Sequence, residues 1–235
     1  VAHSFPTLRS SDLVPLVQVA LAPSDPGRLY AWGGRTAGQT PEAGTWRSDD
    51  GGQTWVRLGL MASARLGVDA HDPHTVYTLG VDPLRSRDGG ITWQRVPGDG
   101  RLLAADPIVP GRIYAVRPDL ADLIVSHDGG STWEQLNAGV TGGVQIHPRD
   151  PEVILAGRPF AGSGGGADRT LGEMRYTSDG GASWTSLNLH AAFDAVHLDP
   201  AWCQGLYATA RDQVWYSSDR GRSWERRGTP PLRMP

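Results

Sequence analysis

The chain has 235 residues, of which 39% are hydrophobic and 20% charged, and its formal net charge is -3 at pH 7. This length allows a substantial buried core, and no apolar run is long enough to form a membrane-spanning helix. The small negative charge excludes the general attraction to phosphates that dominates nucleic-acid binding. The composition, with 31 glycines and 18 prolines, is typical of an all-β protein with many turns. Its single cysteine, Cys203, excludes an internal disulfide.

The N-terminal segment, residues 1–13, is set apart from the rest. Residues 4–13, SFPTLRSSDL, resemble the translation of a sequencing-library adapter, SFPTRRSSDL, and differ from it only at Leu8. We therefore treat residues 1–13 as a non-native or disordered segment, the alternative being a genuine polar arm. In the first case any native export signal would be missing from the sequence, so the lack of one is not evidence for a cytoplasmic location.

Four short apolar runs then recur in a fixed order, and each is predicted to be a strand. The first run, such as LVQVAL, precedes an Asp-Pro pair, and the second, such as RLYAW, follows it. The third run, such as GTWRS, leads into a polar octet, and the fourth, such as TWVRL, begins at the tryptophan that ends the octet. The pairs lie at Asp25, Asp72, Asp150 and Asp199, with Val109-Pro110 at the equivalent place in the third repeat.

The octet has the form [ST]-x-D-x-G-x-[ST]-W and occurs five times, beginning at Ser48, Ser86, Ser126, Thr177 and Ser217. Its tryptophans, separated by 38, 40, 51 and 40 residues, are Trp55, Trp93, Trp133, Trp184 and Trp224. A period near 40 residues predicts structural repeats that bury their faces against one another.

Four strands per repeat predict an all-β fold, a β-propeller of about five four-stranded antiparallel blades. The predicted blades are residues 14–59, 60–98, 99–138, 139–189 and 190–228, followed by a Pro-rich tail at 229–235. The sequence leaves open whether these blades complete a ring or form part of a larger propeller.

The octet resembles the Asp-box, or BNR repeat, of a propeller superfamily. That superfamily includes sialidases, xyloglucan-degrading endoglucanases, sortilin-type receptors and a photosystem assembly factor. The resemblance covers residues 14–228. It implies the fold and leaves the activity open, because these relatives share an architecture and not a chemistry.

The residue types of the octet favour a structural role. An aspartate in a tight connection accepts hydrogen bonds from backbone N–H groups, glycine supplies a positive φ, and we expect the tryptophan in the apolar layer between blades. The aspartates are Asp50, Asp88, Asp128, Asp179 and Asp219. Because no copy has the glutamate that an EF-hand calcium loop needs at its twelfth position, we expect no metal ion and no cofactor.

Candidate ligand-binding residues are predicted at the opposite end of the blades. Up-and-down strand order places the Asp-Pro turns and the octets at one end, and two long insertions, from Gly33 and Phe160, at the other. Irregular loops on a rigid scaffold often carry binding, although solvated charges without a ligand are the alternative. The candidates are Arg35, Glu42, Asp168 and Arg169 in the insertions and Arg65, Arg101 and Asp194 before first strands.

No catalytic residue is predicted. Sialidases that resemble this fold use an arginine cluster, a Tyr-Glu nucleophile and an aspartate acid/base, and their early F/Y-R-I-P motif is absent from this sequence. Xyloglucanase-like relatives need two opposed carboxylates in a cleft that usually forms between two propellers. His71 and His74 have a spacing that a metal could use but lack a third ligand, and a phosphate-binding loop would need a lysine, which the chain lacks.

The sequence therefore predicts a non-catalytic binding or scaffold module of an exported, bacterial-type protein. It would act as a monomer on a glycan or protein ligand, without nucleic acid and without a membrane span. One alternative is a fragment of a sialidase-like glycoside hydrolase. The other is an assembly-factor-like propeller that binds a protein partner.

Overall fold

A computed structural model describes residues 16–33, 44–59, 65–98, 100–117, 120, 122–139, 142–158, 160–161, 170–189, 193–210 and 213–228. These residues form five four-stranded antiparallel sheets and no α-helix. The prediction of an all-β fold of about five four-stranded blades is therefore confirmed. By its internal contacts the chain divides into two units, residues 1–95 and 96–235.

The first unit holds two sheets, each with its strands in sequence order. The first sheet contains β1 (Leu16–Ala22), β2 (Asp25–Gly33), β3 (Gly44–Ser48) and β4 (Val56–Leu58). The second sheet contains β5 (Arg65–Val68), β6 (Val76–Leu79), β7 (Leu84–Ser86) and β8 (Gln94–Arg95).

The second unit holds the other three four-stranded sheets. The third sheet contains β9 (Arg101–Ala105), β10 (Ile113–Arg117), β11 (Asp122–Ser126) and β12 (Glu134–Gln135). The fourth contains β13 (Gly143–His147), β14 (Asp150–Gly157), β17 (Met174–Thr177) and β18 (Thr185–Ser186), with a small pair, β15 (Phe160–Ala161) and β16 (Thr170–Leu171), inserted between β14 and β17. The fifth contains β19 (Ala195–Leu198), β20 (Leu206–Ala210), β21 (Gln213–Ser217) and β22 (Glu225–Gly228).

The core of each unit lies between neighbouring sheets. In the first unit the buried residues Tyr30 and Leu58 of the first sheet pack with Leu66 and Val68 of the second. In the second unit one cluster joins the third and fourth sheets and another joins the fourth and fifth. Burying one such aliphatic side chain contributes about 1.5–3 kcal/mol, so the sheet-to-sheet contacts stabilise each unit.

The octet and the turn between the first two strands lie at the same end of each sheet and are hydrogen-bonded to each other. In the first sheet the Gly51 N–H donates to the Gly27 carbonyl at 2.8 Å, and in the third the Gly129 N–H donates to the Gly111 carbonyl at 2.8 Å. The other three sheets repeat this bond at 2.9–3.0 Å. The octet therefore fastens the third-to-fourth connection to the first turn of its own sheet.

The Asp-Pro pair of the fifth repeat is not equivalent to that of the second, which corrects the sequence alignment. The backbone N–H groups of Asp69, Asp106 and Asp199 each donate to the carbonyl six residues later, at 2.9, 2.8 and 2.9 Å. Asp199 therefore matches Asp69, three residues before Asp72. In the third repeat the equivalent aspartate is Asp106 of Asp106-Pro107, a pair that the sequence analysis overlooked because it aligned Val109-Pro110 instead.

Candidate functional site

Each octet is a closed hydrogen-bonded unit built around its aspartate. In the first copy, Asp50 Oδ1 accepts the Thr54 N–H at 2.9 Å and Oδ2 accepts the Thr54 hydroxyl at 2.6 Å. The Ser48 hydroxyl donates to Asp50 Oδ1 at 2.7 Å and accepts the Gly52 N–H at 2.8 Å. The same four contacts recur around Asp88, Asp128, Asp179 and Asp219.

These hydrogen bonds keep the octet aspartates ionised. The Thr54 and Thr92 hydroxyls are the largest cause that lowers the pKa of Asp50 and Asp88 to about 2. The Ser183 hydroxyl likewise lowers the pKa of Asp179 to about 2. At Asp219 burial acts upward, but its hydrogen bonds outweigh it and the pKa falls to about 2, while bonds led by the Thr132 N–H hold the pKa of Asp128 well below its usual range. These carboxylates therefore cannot serve as proton donors.

The second glycine of the octet has a packing role besides its positive φ. A Cβ at Gly90 would lie 2.4 Å from Leu58 Cδ1, which belongs to the preceding repeat. In the second unit the equivalent distances are 2.3 Å from Gly130 to Val96 Cγ1, 2.8 Å from Gly181 to Leu136 Cδ2 and 2.6 Å from Gly221 to Leu187 Cγ. Each of these aliphatic residues stands three positions after an octet tryptophan, so consecutive repeats are in contact through the octet glycine.

The octet tryptophans are half-buried, and their indole N–H groups donate hydrogen bonds to backbone carbonyls. In the second unit the indole N–H groups of Trp133, Trp184 and Trp224 donate to carbonyls 36 to 48 residues earlier, at 2.8–2.9 Å. In the first unit those of Trp55 and Trp93 donate to the glycine carbonyl of their own octet at 3.0 Å. Trp93, Trp184 and Trp224 also pack against the clusters of buried apolar residues between sheets.

The predicted ligand-binding residues fall in three places. Arg65 and Arg101 are exposed, and each begins the first strand of its sheet at the end away from the octet. Arg65 belongs to the first unit and Arg101 to the second, and the ligand-binding role of each stays a prediction. Asp194 is half-buried before β19, and its N–H donates to the Thr209 carbonyl at 2.6 Å. The other candidates, Arg35, Glu42, Asp168 and Arg169, lie outside the described residues.

A groove of about 680 Å³ lies between the third and fourth sheets, at their octet end. Its wall on the third sheet includes His127, Glu134 and Asn137. Its wall on the fourth sheet includes Glu152, Arg175 and the octet from Asp179 to Trp184. The sequence pattern did not predict this groove, because it placed the candidate ligand-binding residues at the end of the blades opposite the octets.

A buried arginine forms the floor of this groove and ties its two walls together. Arg112 Nε donates to Asp106 Oδ2 at 2.7 Å, and both side chains are buried. Its Nη1 donates to Glu152 Oε1 at 3.0 Å and its Nη2 to the Pro151 carbonyl at 2.8 Å. Arg112 and Glu152 are 40 residues apart, which is one repeat period. Opposite charges at this spacing could have predicted an ion pair between neighbouring sheets.

The exposed side chains of the groove are mostly polar. Glu134, His127 and Asn137 are exposed, and Glu152 keeps Oε2 for other contacts because Arg112 is bound to Oε1. Arg175 is held at the rim by Glu173, whose Oε1 accepts Nε at 2.9 Å and Nη2 at 2.7 Å. The half-buried indole of Trp184 adds an apolar surface. Such a set can bind a hydroxylated or amide-rich ligand through directed hydrogen bonds. Within the described ranges no three His, Cys, Asp or Glu side chains are placed to hold a metal ion.

Comparisons with known proteins agree with the repeat and the fold. The BNR/Asp-box repeat profile matches residues 46–57 and 84–95, so the chain carries Asp-box repeats. No curated protein matches it in sequence. Among the described residues no helix has the length and apolarity needed to cross a membrane.

Solved structures similar to the chain are propellers. The GH74 xyloglucanase from Xanthomonas campestris has a TM-score of 0.64 and 22% identity over 88% of this chain and 37% of its own. An ancestral GH74 enzyme has a TM-score of 0.63 and 15% identity over 90% of this chain and 31% of its own. A chain of the nidogen/laminin complex has a TM-score of 0.55 and 15% identity over 93% of this chain and 80% of its own. The chain thus spans about a third of these GH74 enzymes, and the likeness shows the propeller fold alone.

Proposed function

We propose that the chain is a non-catalytic Asp-box propeller module of an exported, bacterial-type protein, and that the groove between its third and fourth sheets binds a carbohydrate. The observation that carries this proposal is the groove itself, a polar concavity with exposed acceptors, donors and an indole on two rigid sheets. Carbohydrate hydroxyls both donate and accept hydrogen bonds, so they suit a wall that offers the Glu134 carboxylate beside the Asn137 amide.

The chemistry of the groove supports binding more than hydrolysis. A glycosidase needs one carboxylic acid that stays protonated until it gives its proton to the leaving group. Asp179 is ionised and accepts hydrogen bonds from its own octet. Glu152 Oε1 accepts the hydrogen bond from Arg112 Nη1 at 3.0 Å, so this oxygen is already engaged within the protein. The low pKa of Asp179 makes that residue unsuited to donate a proton.

Binding is tested by titrating the protein with soluble polysaccharides and sialylated oligosaccharides, xyloglucan among them, by isothermal titration calorimetry. Glu134→Gln should weaken binding about 10-fold, because it removes the charge from a hydrogen bond worth about 1.5–3 kcal/mol. Glu225→Gln is the matched control, since Glu225 also follows an octet tryptophan and is exposed. It should leave the affinity unchanged.

Three results would contradict the proposal. Release of a fluorophore from an aryl-sialoside, lost in Arg101→Ala, would establish the sialidase-like alternative. Equal loss of binding in Glu134→Gln and Glu225→Gln would place the ligand elsewhere. A protein that binds none of the carbohydrates but captures a defined polypeptide would support the assembly-factor-like alternative.

A further inference from the structure

The first sheet leaves open a face that the later sheets bury. In the second sheet Leu66 and Val68, opposite Thr78 and Val76, are buried against the first sheet. In the fifth sheet Val196 and Leu198 occupy the same register positions and are buried against the fourth. The equivalent residues of the first sheet are Val19, opposite Ala31, and Leu21, opposite Leu29. Their exposed fractions are 46% and 67%.

The fifth sheet leaves open the complementary face. The tyrosine in the middle of the second strand is fully buried in the first three sheets, as Tyr30, Tyr77 and Tyr114. Its equivalent in the fifth sheet, Tyr207, is 41% exposed and lies 4.8 Å from the Tyr216 ring, centroid to centroid.

The residue three positions after the octet tryptophan differs in the same sheet. It is aliphatic and buried in the first four repeats, as Leu58, Val96, Leu136 and Leu187. The fifth repeat has Arg227, whose side chain is 55% exposed and whose guanidinium lies 5.0 Å above the Tyr216 ring.

The contacts between sheets also use one recurring backbone acceptor. The acceptor is the carbonyl four residues before the middle residue of the second strand, and its donor lies in the preceding sheet. The Pro73 carbonyl accepts the Tyr30 hydroxyl at 2.7 Å and the Cys203 carbonyl accepts the Tyr176 hydroxyl at 2.7 Å. The Pro151 carbonyl accepts Arg112 Nη2 at 2.8 Å. In the first sheet this position is Pro26.

We propose that the open face of the fifth sheet binds the open face of the first sheet of a second copy of this chain. A second copy fits because its first sheet offers the face that the fifth sheet would pack against, and its fifth sheet offers the face that the first sheet would pack against. Both faces have the repeat geometry seen in the contacts within the chain. By equivalence with Tyr30 and Pro73, the Tyr207 hydroxyl of one copy donates to the Pro26 carbonyl of the other, and Val19 and Leu21 cover the tyrosine ring. The sequence predicts a monomer instead, and the experiment below distinguishes the two states.

The arginine fits this contact. A Cβ at Gly52 would meet only Leu29 and Trp55 of its own repeat, whereas the later octet glycines meet an aliphatic side chain of the repeat before them. The space that an aliphatic side chain fills in the other contacts is therefore open to the apolar stem of Arg227. Because the two faces differ, each copy keeps one free face after a single contact, and association continues as a ring or a chain.

Sedimentation velocity from micromolar to several hundred micromolar protein tests the proposal. The wild type should change from monomer to larger species as concentration rises. Leu21→Gln and Tyr207→Gln should each weaken association ~10-fold or more, because each removes a buried apolar contact. Ile91→Gln is the matched control, since Ile91 is 69% exposed in an octet and lies on neither open face. It should associate like the wild type.

Mixing the two variants separates head-to-tail contact from other modes. Leu21→Gln keeps an intact fifth sheet and Tyr207→Gln an intact first sheet, so the mixture should form a 1:1 dimer that neither forms alone. Circular dichroism establishes that both variants are folded. A wild type that stays monomeric throughout, or variants whose mixture does not associate, would overturn the proposal.

Discussion

At the residue scale, the hydroxyl that opens each octet bonds both to the aspartate and to the amide of the second glycine position. Ser126 is buried, donates to Asp128 Oδ1 at 2.8 Å and accepts the Gly130 N–H at 2.7 Å. The Gly130 amide cannot turn to water, because its position is buried beneath the preceding repeat. Removing the hydroxyl therefore leaves a buried donor without a partner.

Ser126→Ala should lower the free energy of unfolding by about 1–3 kcal/mol, the usual cost of a buried unsatisfied group. The measurement is urea denaturation followed by tryptophan fluorescence. Ser131→Ala is the control in the same octet, because the Ser131 hydroxyl is exposed and makes one weak contact, 3.4 Å to the Asp128 carbonyl. It should change stability by less than about 0.5 kcal/mol. Equal effects of the two substitutions would refute the role given to Ser126.

Substitutions at the two octet glycine positions distinguish the cost of backbone strain from the cost of steric overlap. Gly51→Ala places a side chain at φ +73° in open space, so it should cost about 1–2 kcal/mol of strain alone. Gly90→Ala adds an overlap with Leu58 and should cost about 1–3 kcal/mol more. The two variants are compared by urea midpoints. Leu58→Ala should destabilise the Gly90→Ala variant less than it destabilises the wild type, because it also relieves the overlap. Strict additivity of the two changes would contradict the contact.

At the scale of strands and sheets, local pattern was sufficient to predict the architecture. The run RIYAV became β10 and GTWRS became β3, because period-two alternation and β-branched residues act within one strand. The contact of Gly130 with Val96 and the groove beside Arg112 could not be predicted in the same way. They depend on which repeats lie side by side, and no run of neighbouring residues encodes that. The open faces became visible only once equivalent residues could be compared for burial.

The buried ion pair beneath the groove, between Arg112 and Asp106, should contribute far more to the free energy of unfolding than an exposed ion pair does. Arg112→Ala removes the partner of the fully buried Asp106 carboxylate and should lower the free energy of unfolding by about 3–5 kcal/mol. Arg95→Ala breaks the exposed pair with Asp82 and should cost at most about 1 kcal/mol. Differential scanning calorimetry compares the two. A small loss in Arg112→Ala would mean that water or another cation compensates Asp106.

At the scale of the whole molecule, five repeats carry the same carboxylate and should respond to pH together. The folded state lowers the pKa of four octet aspartates from 3.8 to about 2 and that of Asp128 in the same direction. Since the unfolded chain binds protons more readily, these groups stabilise the fold fully above pH 4. Their contribution is lost as the pH falls from about 4 to about 2.

The buried tyrosines should limit folding stability at alkaline pH, as the octet aspartates do at acid pH. Both effects can be measured in one experiment. Burial raises the pKa of Tyr77 from 10.0 to about 12, so folding favours its neutral form. That contribution is complete below pH 10 and is lost as the pH rises toward 12. Urea midpoints should therefore show a plateau from about pH 4 to about pH 10 with a fall on each side. Asp88→Asn should reduce the acid slope and leave the alkaline slope unchanged, because each limit belongs to a different set of groups. A single slope across the whole range, unaffected by Asp88→Asn, would show that general charge repulsion governs the pH dependence instead.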